Sequence, residues 1–89
     1  MRFYVSKKDV KEGVMGDCRL CPAALAIMRK TRAESVSVQP VVVRLWGPGY
    51  NRFGSPAMYF ASGKLQCAIA RFDSGQSFPA GHYYMKKVK

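Results

Sequence analysis

Pro22-Ala23-Ala24-Leu25-Ala26-Ile27-Met28-Arg29-Lys30-Thr31-Arg32, followed three residues later by Val36-Ser37-Val38-Gln39-Pro40-Val41-Val42-Val43-Arg44-Leu45-Trp46, is the passage whose reading decides the fold. Its first half consists mostly of strong helix formers. Pro22 suits a first helical position, where its missing N–H would be unsatisfied anyway. Arg29, Lys30 and Arg32 gather where the helix dipole favours cations. Leu20, Ala24, Ile27 and Thr31 repeat at helical spacing, as do Leu25 and Met28. These features predict a helix over 22–32. The second half is β-branched or bulky and predicts strand. Pro40 cannot donate to a ladder, so it divides the run into an edge piece and a main strand over 41–46. A helix followed at once by strands predicts an α+β domain.

Upstream, residues 2–6 alternate, with Phe3 and Val5 on one face and Arg2, Tyr4 and Ser6 on the other. Ser6-Lys7-Lys8-Asp9 resembles a capping box with Asp in place of Glu or Gln, and Val5 and Val10 stand at the staple positions. Gly13 is a natural stop for this short helix. Residues 16–18 read as a turn. Downstream, 47–56 is a loop by composition and 57–61 returns as a strand, making a hairpin with a long tip. Residues 62–74 admit a turn and strand, but Leu65, Ala68, Ile69 and Phe72 fall at helical spacing, Ser62 can cap and Gly75 can terminate, which favours a helix. Residues 81–87 form a last strand, with Tyr83 and Met85 opposite His82, Tyr84 and Lys86. The expected architecture is a single α+β domain over 1–89: a small, mostly antiparallel sheet of about four strands with two main helices on one face.

Eighty-nine residues hold one hydrophobic core. The longest apolar stretch beside a helix, 21–28, is far short of the ~20 residues a bilayer requires. The first eight residues lack the apolar core and cleavage site of a secretory signal. Three cysteines are an odd number, which suits reduced thiols better than a disulfide framework. A cytoplasmic protein is expected. Fifteen Lys and Arg against five Asp and Glu give a formal charge of +10. The excess is spread: eight basic and four acidic residues fall in 1–34, and seven basic residues and one acid, Asp73, in 35–89. Such a field attracts nucleic acid, or an acidic host protein or ribonucleoprotein surface.

Two passages resemble a loose family of small, uncharacterised bacteriophage proteins. Gly16-Asp17-Cys18-Arg19-Leu20-Cys21-Pro22-Ala23-Ala24-Leu25-Ala26-Ile27 is similar to their Gly-Asp-Cys, two residues, Cys-Pro and Ala-Leu-Ala helix. Ile69-Ala70-Arg71-Phe72-Asp73-Ser74-Gly75 resembles their closing helix. Together these cover under a third of the chain. The resemblance implies a phage origin and a helix before residue 75, and carries no catalytic residue with it. Small phage proteins often bind and disable host machinery, including defence systems.

Chemistry-bearing patterns are sparse. Cys18 and Cys21, with Cys67 and His82, supply the ligand types of a closed zinc site, although only the first pair has knuckle spacing. A turn with one buried cysteine fits the same residues. Cys21 at a helix N-terminus is where a thiol pKa is lowered, the one support for a redox role. No Ser-His-Asp or Cys-His arrangement, phosphate loop or carboxylate pair stands out, and a binding protein without cofactor is expected rather than an enzyme. The loop over 47–56 sets Tyr50, Asn51, Arg52 and Phe53 on a tip beside Trp46. Aromatic faces stack on bases and arginine engages phosphate, while the same residue types make protein–protein hot spots. Alternatively, Trp46 and Phe53 tuck into the core. Lys7, Lys8, Arg29, Lys30 and Arg32 complete the set expected to meet a phosphate backbone, or else form ordinary solvated surface. The primary expectation is stoichiometric binding of nucleic acid or a nucleic-acid-bearing host complex. The alternatives are a protein–protein inhibitor of a host enzyme or defence system, anti-CRISPR-like or otherwise, and a zinc-stabilised module.

Overall fold

The computed structural model describes residues 1–47, 51–52 and 55–88. Strand β1 (Arg2–Val5) leads into α1 (Lys7–Glu12) and α2 (Pro22–Thr31). Strands β2 (Ser35–Val38), β3 (Val42–Trp46), the two-residue β4 (Asn51–Arg52) and β5 (Ser55–Ala61) follow, then α3 (Gly63–Asp73) and β6 (Gly81–Lys87). The sheet runs β1-β6-β5-β3-β2, antiparallel at every pairing, with β4 attached to β5. The class is α+β, as expected, with five strands along the main path instead of four.

The additional strand comes from Pro40. It divides the run, as expected, into an edge strand, β2, and a main strand, β3, and it sits at the bend of the hairpin that the two form. The run from 36 to 46 folds back on itself, so that Val38 faces Val43 and Val36 faces Leu45. Gln39 N–H donates to the Val42 carbonyl at 3.0 Å, and the Val41 carbonyl accepts from Ala61 N–H at 2.8 Å. The proline's missing donor falls at the corner, where no ladder bond requires it.

Strand alternation divides the sheet into two faces. Phe3, Val5, Val36, Val38, Val43, Leu45, Ala61, Tyr83 and Met85 point inward and are buried. The helices cover them. Helix α2 packs on both β1 and β2, the two edges of the sheet, so the sheet curls around it as a half-barrel. Its buried Ala23, Ala24 and Ala26 allow that close approach, and Ile27 fills the centre. Helix α3 lies against β6 with Leu65, Ala68 and Ile69 buried. Phe78, in the link from α3 to β6, closes the core edge-on against Phe72 and Tyr83. The Tyr83 hydroxyl donates to the Pro79 carbonyl.

The caps follow the sequence. Ser6 and Asp9 form the reciprocal capping box of α1. Ser62 caps α3, accepting from Leu65 N–H. Gly13 does end α1, but not by a left-handed turn: its φ is −65°. Glycine is required because a Cβ there would stand 2.4 Å from Cδ of Pro22. Leu20 departs from the expected helical face. It precedes α2, and its side chain is exposed.

Candidate nucleic-acid interface

The helices cover one face of the curled sheet. The opposite face, on the outside of the curve, carries the alternate residues of each strand. Antiparallel register fixes their neighbours: Tyr4 faces His82, Arg2 faces Tyr84, Phe60 faces both Lys86 and Val42, and Arg44 faces both Met58 and Ser37. Two parallel diagonals result. Tyr4, Tyr84 and Phe60 step across β1, β6 and β5, and Arg44 continues the line on β3. Arg2, Lys86 and Met58 run beside them.

These aromatic side chains are not packed away. Tyr4 is 49% exposed, Tyr84 51% and Phe60 48%. The Tyr4 ring leans on His82, with centroids 4.9 Å apart. Arg2, His82 and Lys86 are exposed. Among the described residues no strand contains an aspartate or glutamate. Beside Tyr84, a hollow of about 340 Å³ is lined by Arg2, Ser62, Lys64, His82, Tyr83 and Tyr84. Lys64 reaches over it, donating from Nζ to the His82 carbonyl at 2.9 Å and lying 4.9 Å from the Tyr83 ring centroid.

The far end of this face is partly closed. The loop before α2 binds the edge of β2: the Cys18 carbonyl accepts from Val38 N–H at 2.8 Å, and its thiol accepts from the Ser37 hydroxyl at 3.5 Å. Arg19 stacks its guanidinium 5.6 Å from the centre of the Trp46 ring. Trp46 is therefore half-buried on the outer face, neither a core residue nor a free anchor. Arg44 donates to the Gln39 side chain at 3.2 Å. The open surface lies over β1, β6 and β5.

Five of the cations singled out from the sequence, Lys7, Lys8, Arg29, Lys30 and Arg32, belong to the helical layer, away from this face. Lys7 and Lys8 are exposed on α1, and Lys30 is exposed at the end of α2. Arg29 has a structural partner. It grips the carboxylate of Asp9 through Nη1 at 2.6 Å and Nη2 at 2.9 Å, and Nη2 also donates to the Tyr4 carbonyl at 3.0 Å. Asp9 is only 4% exposed. Burial alone would push its carboxyl up. The hydrogen bonds from Arg29 and from the backbone and hydroxyl of Ser6 outweigh that and hold it below the usual range. One ion pair thus ties α1, α2 and β1 together. Arg32 is exposed and caps α2 in the left-handed region, at φ 57°. Asn51 and Arg52 form β4 through backbone pairing with Pro56 and Ser55. Tyr50 and Phe53, the other residues of the expected loop tip, lie outside the described residues.

The proposed zinc ligands are not brought together. Among the described residues no three His, Cys, Asp or Glu side chains converge to hold a metal ion. Cys18 lies against β2, Cys67 is exposed on α3, and His82 is on the outer face beside Tyr4. Cys21 lacks the lowered thiol pKa expected at a helix N-terminus. Its thiol caps α2 by accepting from Ala24 N–H at 3.4 Å. Burial pushes its pKa up, and the amides at the helix end offset this only in part.

The outer aromatic stripe was missed in the sequence, where only the outward position of its tyrosines is visible. Residues 2–5 and 81–87 alternate cleanly, and in each the water-facing set holds a tyrosine where a small polar residue would serve the fold. No helix among the described residues is long and apolar enough to cross a membrane. No protein-family model, curated protein or solved structure matches the chain.

Proposed function

We propose that this protein is a non-catalytic accessory protein that binds nucleic acid stoichiometrically through the open face of its sheet. The observation that carries this reading is the half-exposed diagonal of Tyr4, Tyr84 and Phe60 flanked by Arg2 and Lys86, with no carboxylate on any described strand. Cations supply phosphate contacts, and aromatic faces supply surface that water solvates poorly. The net charge of +10 adds long-range attraction to a polyanion. The likeness of 16–27 and 69–75 to small phage proteins supports a phage-encoded protein acting in a host cell, on nucleic acid or on a complex that carries it.

The test is binding to short DNA and RNA across a salt series. The logarithm of affinity falls steeply with the logarithm of salt. Arg2→Gln with Lys86→Gln flattens that slope by about two, one for each phosphate contact removed. Lys7→Gln with Lys8→Gln, on the helical layer, changes it less. Equal slopes for both pairs contradict the assignment to the sheet face.

A second reading has its own observation. Val14, Met15 and Leu20 are 46%, 57% and 44% exposed on one loop, closed by a bond from Val14 N–H to the Leu20 carbonyl. Such an apolar loop suits a protein partner, as an inhibitor of a host enzyme or defence effector would require. Met15→Asp with Leu20→Asp then abolishes inhibition and leaves nucleic-acid binding intact.

A further inference from the structure

We infer that the ligand of the open sheet face is a single strand, with successive bases stacked on Tyr4, Tyr84 and Phe60 and its phosphates following Arg2 and Lys86. This rests on the nucleic-acid reading above and specifies its substrate class.

The aromatic residues are the first argument. A duplex hides its base faces within the stack, so contacts to its outside need cations and hydrogen-bond donors rather than rings. On a nucleic-acid ligand, three half-exposed rings in a row find their partners where bases are unstacked. Spacing is the second. Tyr4 and Tyr84 are diagonal neighbours on adjacent strands, as are Tyr84 and Phe60. Diagonal neighbours stand ~7–8 Å apart, about twice the ~3.4 Å per nucleotide along one strand of a duplex. That is room for a base to leave its neighbour and lie on a ring. Curvature is the third. The sheet wraps α2, so the stripe runs over the outside of a bend, which spreads bases apart. The cations are the fourth. Arg2 and Lys86 form the adjoining diagonal, and Lys64 lines the hollow beside Tyr84.

A second copy of the chain is the competing occupant of an exposed apolar stripe. Face-to-face pairing would set the cationic face that carries Arg2, Lys86 and Arg44 against the same face of the second copy, with no carboxylate on any described strand to neutralise it. Like charges brought together oppose that contact.

The experiment measures affinity for a fluorescent single-stranded oligonucleotide, as DNA and as RNA, and for the duplex of the same sequence at one salt concentration. Native protein prefers a single strand by tenfold or more. Tyr84→Leu and Phe60→Leu each lower single-strand affinity by about tenfold, while duplex affinity and melting temperature stay unchanged. Ultraviolet crosslinking on the native protein, which needs no variant, attaches the oligonucleotide at Tyr4, Tyr84 or Phe60. Equal affinity for both forms, or crosslinks confined to the helical layer, overturns the stacking inference while salt-dependent binding still upholds the nucleic-acid reading. No binding to any form removes both.

Discussion

The two faces of the sheet are built from the same strands by the same alternation, yet they answer to different constraints. The inner face carries Phe3, Val5, Leu45, Tyr83 and Met85, each almost wholly buried under helices. The outer face carries Tyr4, Tyr84 and Phe60, each about half open to water. Packing accounts for the first set, because removing any of them leaves a void. Packing accounts for only part of the second: Tyr4 leans on His82, yet about half of each side chain stays in water, where serine or threonine would hold the same strands with less exposed apolar surface. An aromatic side chain that the fold does not require is evidence of something beyond the fold.

The sharpest way to break this comparison is to truncate one residue of each layer. Ile27 is fully buried at the centre of α2, and Ile27→Ala lowers unfolding free energy by ~2–5 kcal/mol through lost burial and the cavity left behind. Phe60→Ala loses under about 1 kcal/mol, the range of strand propensity at an exposed position. Urea denaturation of the two variants separates them. A loss at Phe60 as large as at Ile27 makes the outer stripe structural and removes the reason to look for a ligand.

A smaller effect tests which cations belong to the fold. Arg29→Ala costs ~1.5–3 kcal/mol, the worth of hydrogen bonds to a charged group. Arg29→Lys recovers only part of this, because an ammonium lacks the two-pronged grip on Asp9. The pair also imposes a pH signature. Unfolded, Asp9 titrates near the ordinary ~3.9. Folded, its pKa is lower, so the folded state favours the ionised form. The stabilisation is complete above the ordinary value and is lost as pH falls through the lower folded value. Denaturation profiles between pH 2 and 6 show this loss in the native protein, and Asp9→Asn flattens it.

How much was legible in the sequence follows the same division. Helix α2 and the capping box of α1 were readable because propensity, spacing and tertiary packing agree there: Ala23, Ala24, Ala26 and Ile27 serve both the helix and the core. Pro40 marked the division between the edge strand and the main strand correctly, but a proline in a valine run does not record that the two pieces pair with each other, which only register decides. Arg29 read as a free cation because its partner Asp9 lies twenty residues away in sequence, joined only when α1 folds onto α2. The outer stripe is harder still. Tyr4, Phe60 and Tyr84 lie on three separate strands, so their alignment is a product of register, which no local pattern records.

The smallest effect comes from Arg32, which ends α2 at φ 57°. A side chain in this left-handed region costs about 1–2 kcal/mol, and glycine is the residue that usually occupies such a position. Arg32→Gly relieves that strain but gives the unfolded chain more freedom, worth roughly 0.5–1 kcal/mol in the opposite direction. The net result is a gain of about 0.5–1 kcal/mol, read as a higher melting temperature. Strained positions in other proteins often cluster at functional sites, so the variant also tests which side of the molecule binds. Arg32 belongs to the helical layer, across the sheet from Tyr84. Single-strand affinity therefore stays within about twofold while stability rises, because an exposed charge far from the contact acts only through a screened field. A stabler protein that has lost its nucleic acid would move the interface from the sheet to the helices.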